Sequence, residues 1–139
     1  MKQEIMQMAL LVKDYDEAIA FYTKKLHFKL IEDTTLSDTK RWVVIAPPGS
    51  SGCRLLLAKA ANEQQLHCVG NQTGGRVFLF LHTDNIQRDY ENLLHNKVNI
   101  VSEPQQQPYG TVLVFEDLYG NKWDLIERKD EIKYPIINS

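Results

Sequence analysis

The chain has 139 residues, 43% of them apolar and 24% charged, which is typical of one globular domain with its own hydrophobic core. Sixteen basic and eighteen acidic side chains give a net charge of -2 without a basic cluster, so neither nucleic acid nor an anionic membrane is expected as a partner. No apolar run approaches the roughly 20 residues of a membrane span. The two cysteines have no metal-like spacing, and we expect a cytoplasmic protein with reduced thiols.

The first half of the chain predicts a strand, a helix and three more strands. Residues 4–12 are largely apolar, as in a buried strand. Asp14 and Glu17 have the spacing of a capping box, and apolar side chains then recur at helical intervals as far as Leu26. Three strand candidates with turn residues between them follow at 28–34, 41–47 and 53–60.

The second half repeats this order after a polar stretch at residues 61–75. A strand is predicted at 76–82, and Asp84 or Asn85 is the predicted N-cap of the next helix. The last three strands are predicted at 98–104, 110–117 and 122–128.

The two halves are related by a constant offset. Pairing Tyr15 with Ile86 and Tyr22 with Leu93 gives 71 residues in both cases. We therefore predict an α+β fold of two tandem βαβββ modules, whose curved mixed sheets enclose a cavity. The predicted single domain spans residues 1–139. It divides into module one (about 4–60), a linker (about 61–75), module two (about 76–128) and a tail (129–139) whose role stays open.

Three segments, residues 10–33, 78–98 and 114–128, resemble the vicinal-oxygen-chelate superfamily, which includes glyoxalase I, bleomycin-resistance proteins and extradiol dioxygenases. The most specific piece is an F-x-D-x-x-G-N-x-x-[acid]-L pattern from Phe115 to Leu125, with Leu118 where proline is frequent. The resemblance covers nearly all of residues 4–128 and implies the same paired-module fold.

In metal-dependent members of this superfamily, the first and last strands of the two modules supply four metal ligands. The resemblance places these positions on Gln7, Leu56, Phe78 and Asp124. Two of the four are apolar, and glutamine with aspartate is a poor set for a divalent transition metal. We therefore predict no metal or other cofactor. The alternative is a displaced metal site, which would be built from Gln7, His82, Glu116 and Asp124.

Asp124 interrupts an apolar strand, where an unpaired buried carboxylate would be costly. Because strand side chains alternate, Asp124 is expected to face the cavity while Trp123 and Leu125 face a helix. Asp124 and His82 are the candidates for acid–base catalysis. The predicted cavity lining is Gln7, Trp42, Leu56, Phe78, Phe80, His82, Val114 and Asp124.

Each of these residues also has a structural interpretation. Asp124 could pair with Lys122 or Arg54 at a solvated edge, and His82 could help to cap the following helix. The aromatic residues Trp42, Phe78 and Phe80 could be ordinary core residues.

The leading hypothesis is a homodimeric, glyoxalase-like protein with a degraded metal site, which binds a small, partly apolar molecule. The alternatives are a metal-dependent lactoylglutathione-lyase-like enzyme with the displaced site, a metal-free isomerase or lyase using Asp124 or His82, and a purely structural role.

Overall fold

The computed structural model describes residues 1–129. The rest of the predicted tail, residues 130–139, lies outside the described residues. The elements in chain order are β1 (Gln7–Val12), α1 (Tyr15–Ala20) continued by a π-helical turn (Phe21–Lys25), β2 (Lys29–Thr35), β3 (Arg41–Ala46), β4 (Arg54–Lys59), α2 (Glu63–Cys68), β5 (Val77–His82), α3 (Ile86–His95), β6 (Ile100–Gln107), β7 (Gly110–Glu116) and β8 (Lys122–Arg128).

Two four-stranded mixed sheets carry the same topology. The first sheet has the order β1-β4-β3-β2 and the second has the order β5-β8-β7-β6. In each, the first and last strands of the module are parallel, and the other neighbours are antiparallel. This confirms the predicted pair of βαβββ modules. The sheets are not closed, because within residues 1–129 no strand of one sheet is hydrogen-bonded to a strand of the other.

The helices α1 and α3, one in each module, begin at the predicted residues. The side chain of Asp14 accepts a hydrogen bond from the Glu17 amide at 2.8 Å, and Asn85 accepts one from the Arg88 amide at 3.0 Å. Asn85, rather than Asp84, is therefore the N-cap of α3, and Asp84 forms an ion pair with Arg88 instead. Each cap satisfies a backbone donor that has no partner within its helix.

Tyr22 and Leu93 occupy equivalent places in the repeat, as predicted. Both are buried, and the carbonyl of each accepts a hydrogen bond at 2.9 Å from the chain after its helix. The donor is Phe28, six residues on, in the first module, and Val98, five residues on, in the second. A π-helical turn holds an extra residue, which accounts for the longer spacing in the first module.

One apolar core joins the two modules. It contains Leu10 and Val43 from the first sheet, and Leu113 and Trp123 from the second. The rings of Tyr22 and Phe28 lie 5.9 and 5.8 Å from that of Trp123. The helix-bearing faces of both sheets therefore border a common core. The opposite face of each sheet, called the open face below, points away from it.

The polar linker contains a helix that the sequence analysis missed. Helix α2 begins after Asn62, whose side chain accepts from the Gln65 amide at 2.9 Å. Leu66 is the one large aliphatic side chain in its six residues, which leaves no apolar periodicity to detect. No helix of residues 1–129 is long and apolar enough to cross a membrane.

Beyond α2, the linker docks on both modules. Gln72 covers the free edge of β1 by accepting from the Leu11 amide and donating to the Ala9 carbonyl. Gly70 has φ +77°, and a Cβ there would lie 1.8 Å from the carbonyl oxygen of Tyr119. Only glycine fits this approach of the linker to the second module.

A buried carboxylate connects the modules through hydrogen bonds. Asp117 is 6% exposed, and its Oδ2 accepts from the hydroxyl of Tyr22 at 2.5 Å, from Asn121 Nδ2 at 3.0 Å and from Trp123 Nε1 at 3.3 Å. Its Oδ1 accepts from the backbone amides of Tyr119 and Asn121. Burial, and then the nearby charge of Asp117, raise the pKa of Tyr22 well above its usual value, so the phenol stays a donor.

Tyr22→Phe should lower the free energy of unfolding by about 1.5–3 kcal/mol, since it removes a hydrogen bond to a buried charge. Tyr109→Phe is the matched control, because the Tyr109 side chain is 37% exposed. It should change stability by less than about 0.5 kcal/mol. Urea unfolding measures both, and equal effects would contradict the structural role of the Tyr22–Asp117 bond.

Candidate ligand-binding site

Asp124 lies on the open face of the second sheet. It is paired in register with Phe80 of β5 on one side and with Val114 of β7 on the other. The alternation of β8 places Trp123 and Leu125 in the core, as predicted. Phe80 is 73% exposed, so an apolar ring lies in solvent beside a half-buried carboxylate.

The carboxylate of Asp124 is not fully satisfied by the other residues that the structure describes. Its Oδ1 is buried without a hydrogen-bond partner within residues 1–129. Burial raises the pKa of Asp124 above the ordinary value of 3.8. Lys122, one of its suggested partners, donates to the carbonyl of Gly75 instead. No ion pair joins Asp124 to Lys122 or to Arg54 in the described part of the chain.

Leu56 is the counterpart of Asp124 in the first sheet. It is paired with Ala9 of β1 and Val44 of β3, the same strand positions as Phe80 and Val114. Gln7 lies two residues before Ala9 on the same face of β1. The open face of the first sheet is therefore apolar at the point where the second carries a carboxylate.

Phe78 does not share the environment of Phe80, although strict alternation predicted that it would. The pairing of β5 with β8 shifts between Val77 and Leu79, which marks a bulge or irregularity. The ring of Phe78 is half-buried and contacts Trp123 edge-on at 6.5 Å. The irregular pairing turns Phe78 toward the core.

Two cavities are associated with the remaining candidates. One, of about 650 Å³, is lined by Trp42 and Leu56 at the end of the first sheet. The other, of about 620 Å³, lies between the modules and is lined by His82 together with Phe28, Leu93 and other residues of both modules. The structure thus brings Trp42 together with Leu56, and Phe80 and Val114 together with Asp124, but places His82 elsewhere.

The residues present do not fit a divalent metal at the positions implied by the resemblance. Leu56 and Phe78 offer no donor atom, which leaves only an amide, Gln7, and a carboxylate, Asp124, at the four positions. Of the displaced set, His82 lines the cavity between the modules, and Glu116 accepts a short hydrogen bond from Asn99. Within residues 1–129, no group of three or more histidine, cysteine, aspartate or glutamate residues could hold a metal ion.

The 650 Å³ cavity also has residues that the sequence analysis did not select, Lys40 and Lys59. Lys40 follows a turn-rich segment and Lys59 ends a strand, where a solvated lysine is common. No sequence pattern distinguished them, because they come together only through the antiparallel pairing of β3 with β4, which places the start of one strand beside the end of the other.

Comparisons with known proteins agree with this architecture. The family model of the Glyoxalase/Bleomycin resistance protein/Dioxygenase superfamily matches residues 4–125. An uncharacterized protein of Shewanella frigidimarina (strain NCIMB 400) is 57% identical over 98% of this chain and 100% of its own length. The crystal structure of UcmS2 is 30% identical with a TM-score of 0.79, covering 91% of this chain and 98% of UcmS2.

TnmS3 is described as an antibiotic binding protein from Streptomyces sp. CB03234. Its crystal structure is 24% identical with a TM-score of 0.74, and the match covers 92% of this chain and 98% of TnmS3. This similarity supports the fold.

Asp124→Asn should stabilise the protein at pH 7 and not at pH 3. The raised pKa of Asp124 means that the folded state binds its proton more tightly than the unfolded state. Stability is therefore lost as the pH rises above the ordinary aspartate range, and asparagine avoids that loss. The measurement is the urea midpoint of both proteins at the two pH values.

Trp123→Ala is the control for this position, one residue away on the opposite face. As a core truncation it should cost about 3–5 kcal/mol. If Asp124→Asn destabilises the protein as severely at pH 7, the carboxylate is a structural partner and its role in binding is refuted.

Proposed function

The chain belongs to the Glyoxalase/Bleomycin resistance protein/Dioxygenase superfamily, and from this premise we propose that it binds a small, partly apolar molecule on the open faces of its sheets without a metal ion. The observation that carries the proposal is the pair formed by Asp124 and Phe80. A carboxylate with an oxygen that has no hydrogen-bond partner in the described part of the chain lies beside a ring that is 73% exposed. The oxygen lacks a hydrogen bond and the ring is exposed to water, and both are unfavourable in free energy. A bound ligand that donates to the oxygen and covers the ring would remove both penalties.

The chemistry of this pair defines the ligand. Phe80 and Val114 offer an apolar surface for a ring or an aliphatic body, and Asp124 accepts a hydrogen bond from an O–H or N–H group. The description of TnmS3 as an antibiotic binding protein supports the same class of ligand for a related fold.

We propose further that two copies of the chain complete the site. The open faces of the two sheets point away from the common core of one chain, so Leu56 and Asp124 do not face each other within it. Exposed apolar residues, including Met6 at 71% and Phe80 at 73%, are available for contact with a second copy. A homodimer in which the open face of one first sheet meets that of the partner's second sheet encloses the site.

A second candidate function is metal-free proton transfer by Asp124 in an isomerase or lyase. Burial moves the pKa of this carboxyl toward neutrality, which favours acid–base work. No comparable observation favours His82.

Thermal unfolding with candidate ligands tests the binding proposal. A panel of antibiotics that combine an apolar ring system with O–H or N–H groups, bleomycin among them, should contain at least one that stabilises the protein. A ligand at a concentration one hundred times its Kd adds about 2.7 kcal/mol to the free energy of unfolding. Zinc, nickel and cobalt chlorides should each add much less, and metal-dependent stabilisation of that size would favour the displaced metal site instead.

Variants then locate the binding site of the stabilising antibiotic. Phe80→Ala and Asp124→Asn should each weaken its binding about tenfold, which corresponds to roughly 1.4 kcal/mol. Leu94→Ala removes an exposed aliphatic side chain from α3 and should leave the affinity unchanged. Equal losses in all three variants would refute binding at Asp124 and Phe80.

Sedimentation equilibrium tests the dimer. The mass should be about twice the 16.1 kDa of one chain, and Phe80→Arg should lower it toward that of the monomer. Leu94→Arg places the same charge on the helix side and should leave the dimer intact. A monomeric wild-type protein would contradict the proposal.

A further inference from the structure

The two modules differ where their third and fourth strands meet. In the second module, β7 and β8 are paired at seven positions, from Gly110–Arg128 to Glu116–Lys122. In the first module, β3 and β4 are paired at three positions only, from Val43–Leu57 to Ile45–Leu55. Both strands nevertheless continue, β3 back to Arg41 and β4 on to Lys59. The first sheet is therefore split between the start of β3 and the end of β4.

Tyr15 stabilises the split. Its hydroxyl accepts a hydrogen bond from the backbone amide of Arg41 at 3.3 Å, at the place where the ladder between β3 and β4 has stopped. The guanidinium of Arg41 lies over the Tyr15 ring, 5.2 Å from its centroid. Because the amide has a partner and Tyr15 is buried, the separated strands are a satisfied arrangement.

The cavity of about 650 Å³ lies at this split. Trp42, Leu56 and Ala58 are among its lining residues and give it an apolar wall. The volume falls within the roughly 300–1,000 Å³ of small-molecule sites. We call it the split-sheet cavity.

The charged residues that line the split-sheet cavity are all basic. Its charged lining residues are Lys40, Arg41 and Lys59, without an acid among them. Arg41 is neutralised by ion pairs to Asp16 at 2.9 Å and Asp33 at 2.7 Å. Neither lysine forms an ion pair within residues 1–129. Two uncompensated positive charges therefore border an apolar wall.

We propose that the split-sheet cavity binds an organic anion, with a flat apolar body against Trp42 and Leu56 and an acidic group held by Lys40 and Lys59. This inference does not depend on the function proposed above. It shares Leu56 as a wall with the open face but makes no use of Asp124 or Phe80.

Calorimetric titration of the full chain with two matched probes tests the proposal. 2-Naphthoate carries the acidic group, and 2-naphthalenemethanol is its neutral counterpart. The acid should bind at least about tenfold more tightly at low salt, and sodium chloride should reduce this preference because exposed charges are screened. Equal affinities, or no binding of the acid, would overturn the proposal.

Two pairs of lysine variants locate the charge effect. The double variant Lys40→Gln, Lys59→Gln should weaken naphthoate binding about tenfold and leave binding of the alcohol unchanged. Lys2→Gln with Lys24→Gln removes the same charge from exposed residues outside the cavity lining and should change neither. Equal losses in the two pairs would assign the preference to net charge and refute the site. Trp42→Leu should weaken both probes.

Asp124→Asn separates this inference from the function proposed above. It should leave naphthoate binding intact. If it tightens naphthoate binding, because a carboxylate that repels the anion has been removed, the acid binds at the open face of the second sheet, and the split-sheet proposal fails while the open-face proposal stands.

Discussion

The buried carboxylate of Asp117 is the interaction on which the arrangement of the modules depends. A buried charge costs several kcal/mol unless hydrogen bonds replace its water, and Asp117 receives five, from Tyr22, Tyr119, Trp123 and twice from Asn121. Four of them come from the turn that contains Asp117 and from β8, the strand after it. The fifth comes from Tyr22, 95 residues away in the helix of the first module. The fifth hydrogen bond therefore forms only when the two modules are packed together.

That requirement determines which surfaces remain for binding. The helix-bearing faces are buried in the core around Trp123. The ring centroids of Tyr22, Phe28 and Phe115 all lie within 6 Å of that of Trp123. The open faces lie on the other side of the sheets, where Phe80 is 73% exposed. The carboxylates of one short segment thus have opposite fates. Asp117 is satisfied by five donors, whereas Asp124 has an oxygen without a hydrogen-bond partner among residues 1–129.

Most of the fold could be predicted from the sequence because it is encoded by local periodicity and by repetition. The offset that relates Tyr22 to Leu93 required two copies of one unit, and period-two alternation in β8 put Trp123 in the core. Helix α2 was not predicted, because it is stabilised by its Asn62 cap and by contact with the rest of the domain and has no apolar stripe. The orientation of Phe78 escaped because irregular pairing in β5 has no signature in an unbroken apolar run.

The candidate sites are less predictable because they lie where the two copies differ. The repeat gives Leu56 and Asp124 the same place in their sheets, and a pattern shared by both copies says nothing about why one became aliphatic and the other acidic. The split beside Lys59 depends on Tyr15, a residue that the sequence presents only as one apolar position of a helix. A duplicated unit needs one copy of each contact to keep its core. The contacts that the core does not need are free to diverge, so the asymmetries between the modules are where binding functions can arise.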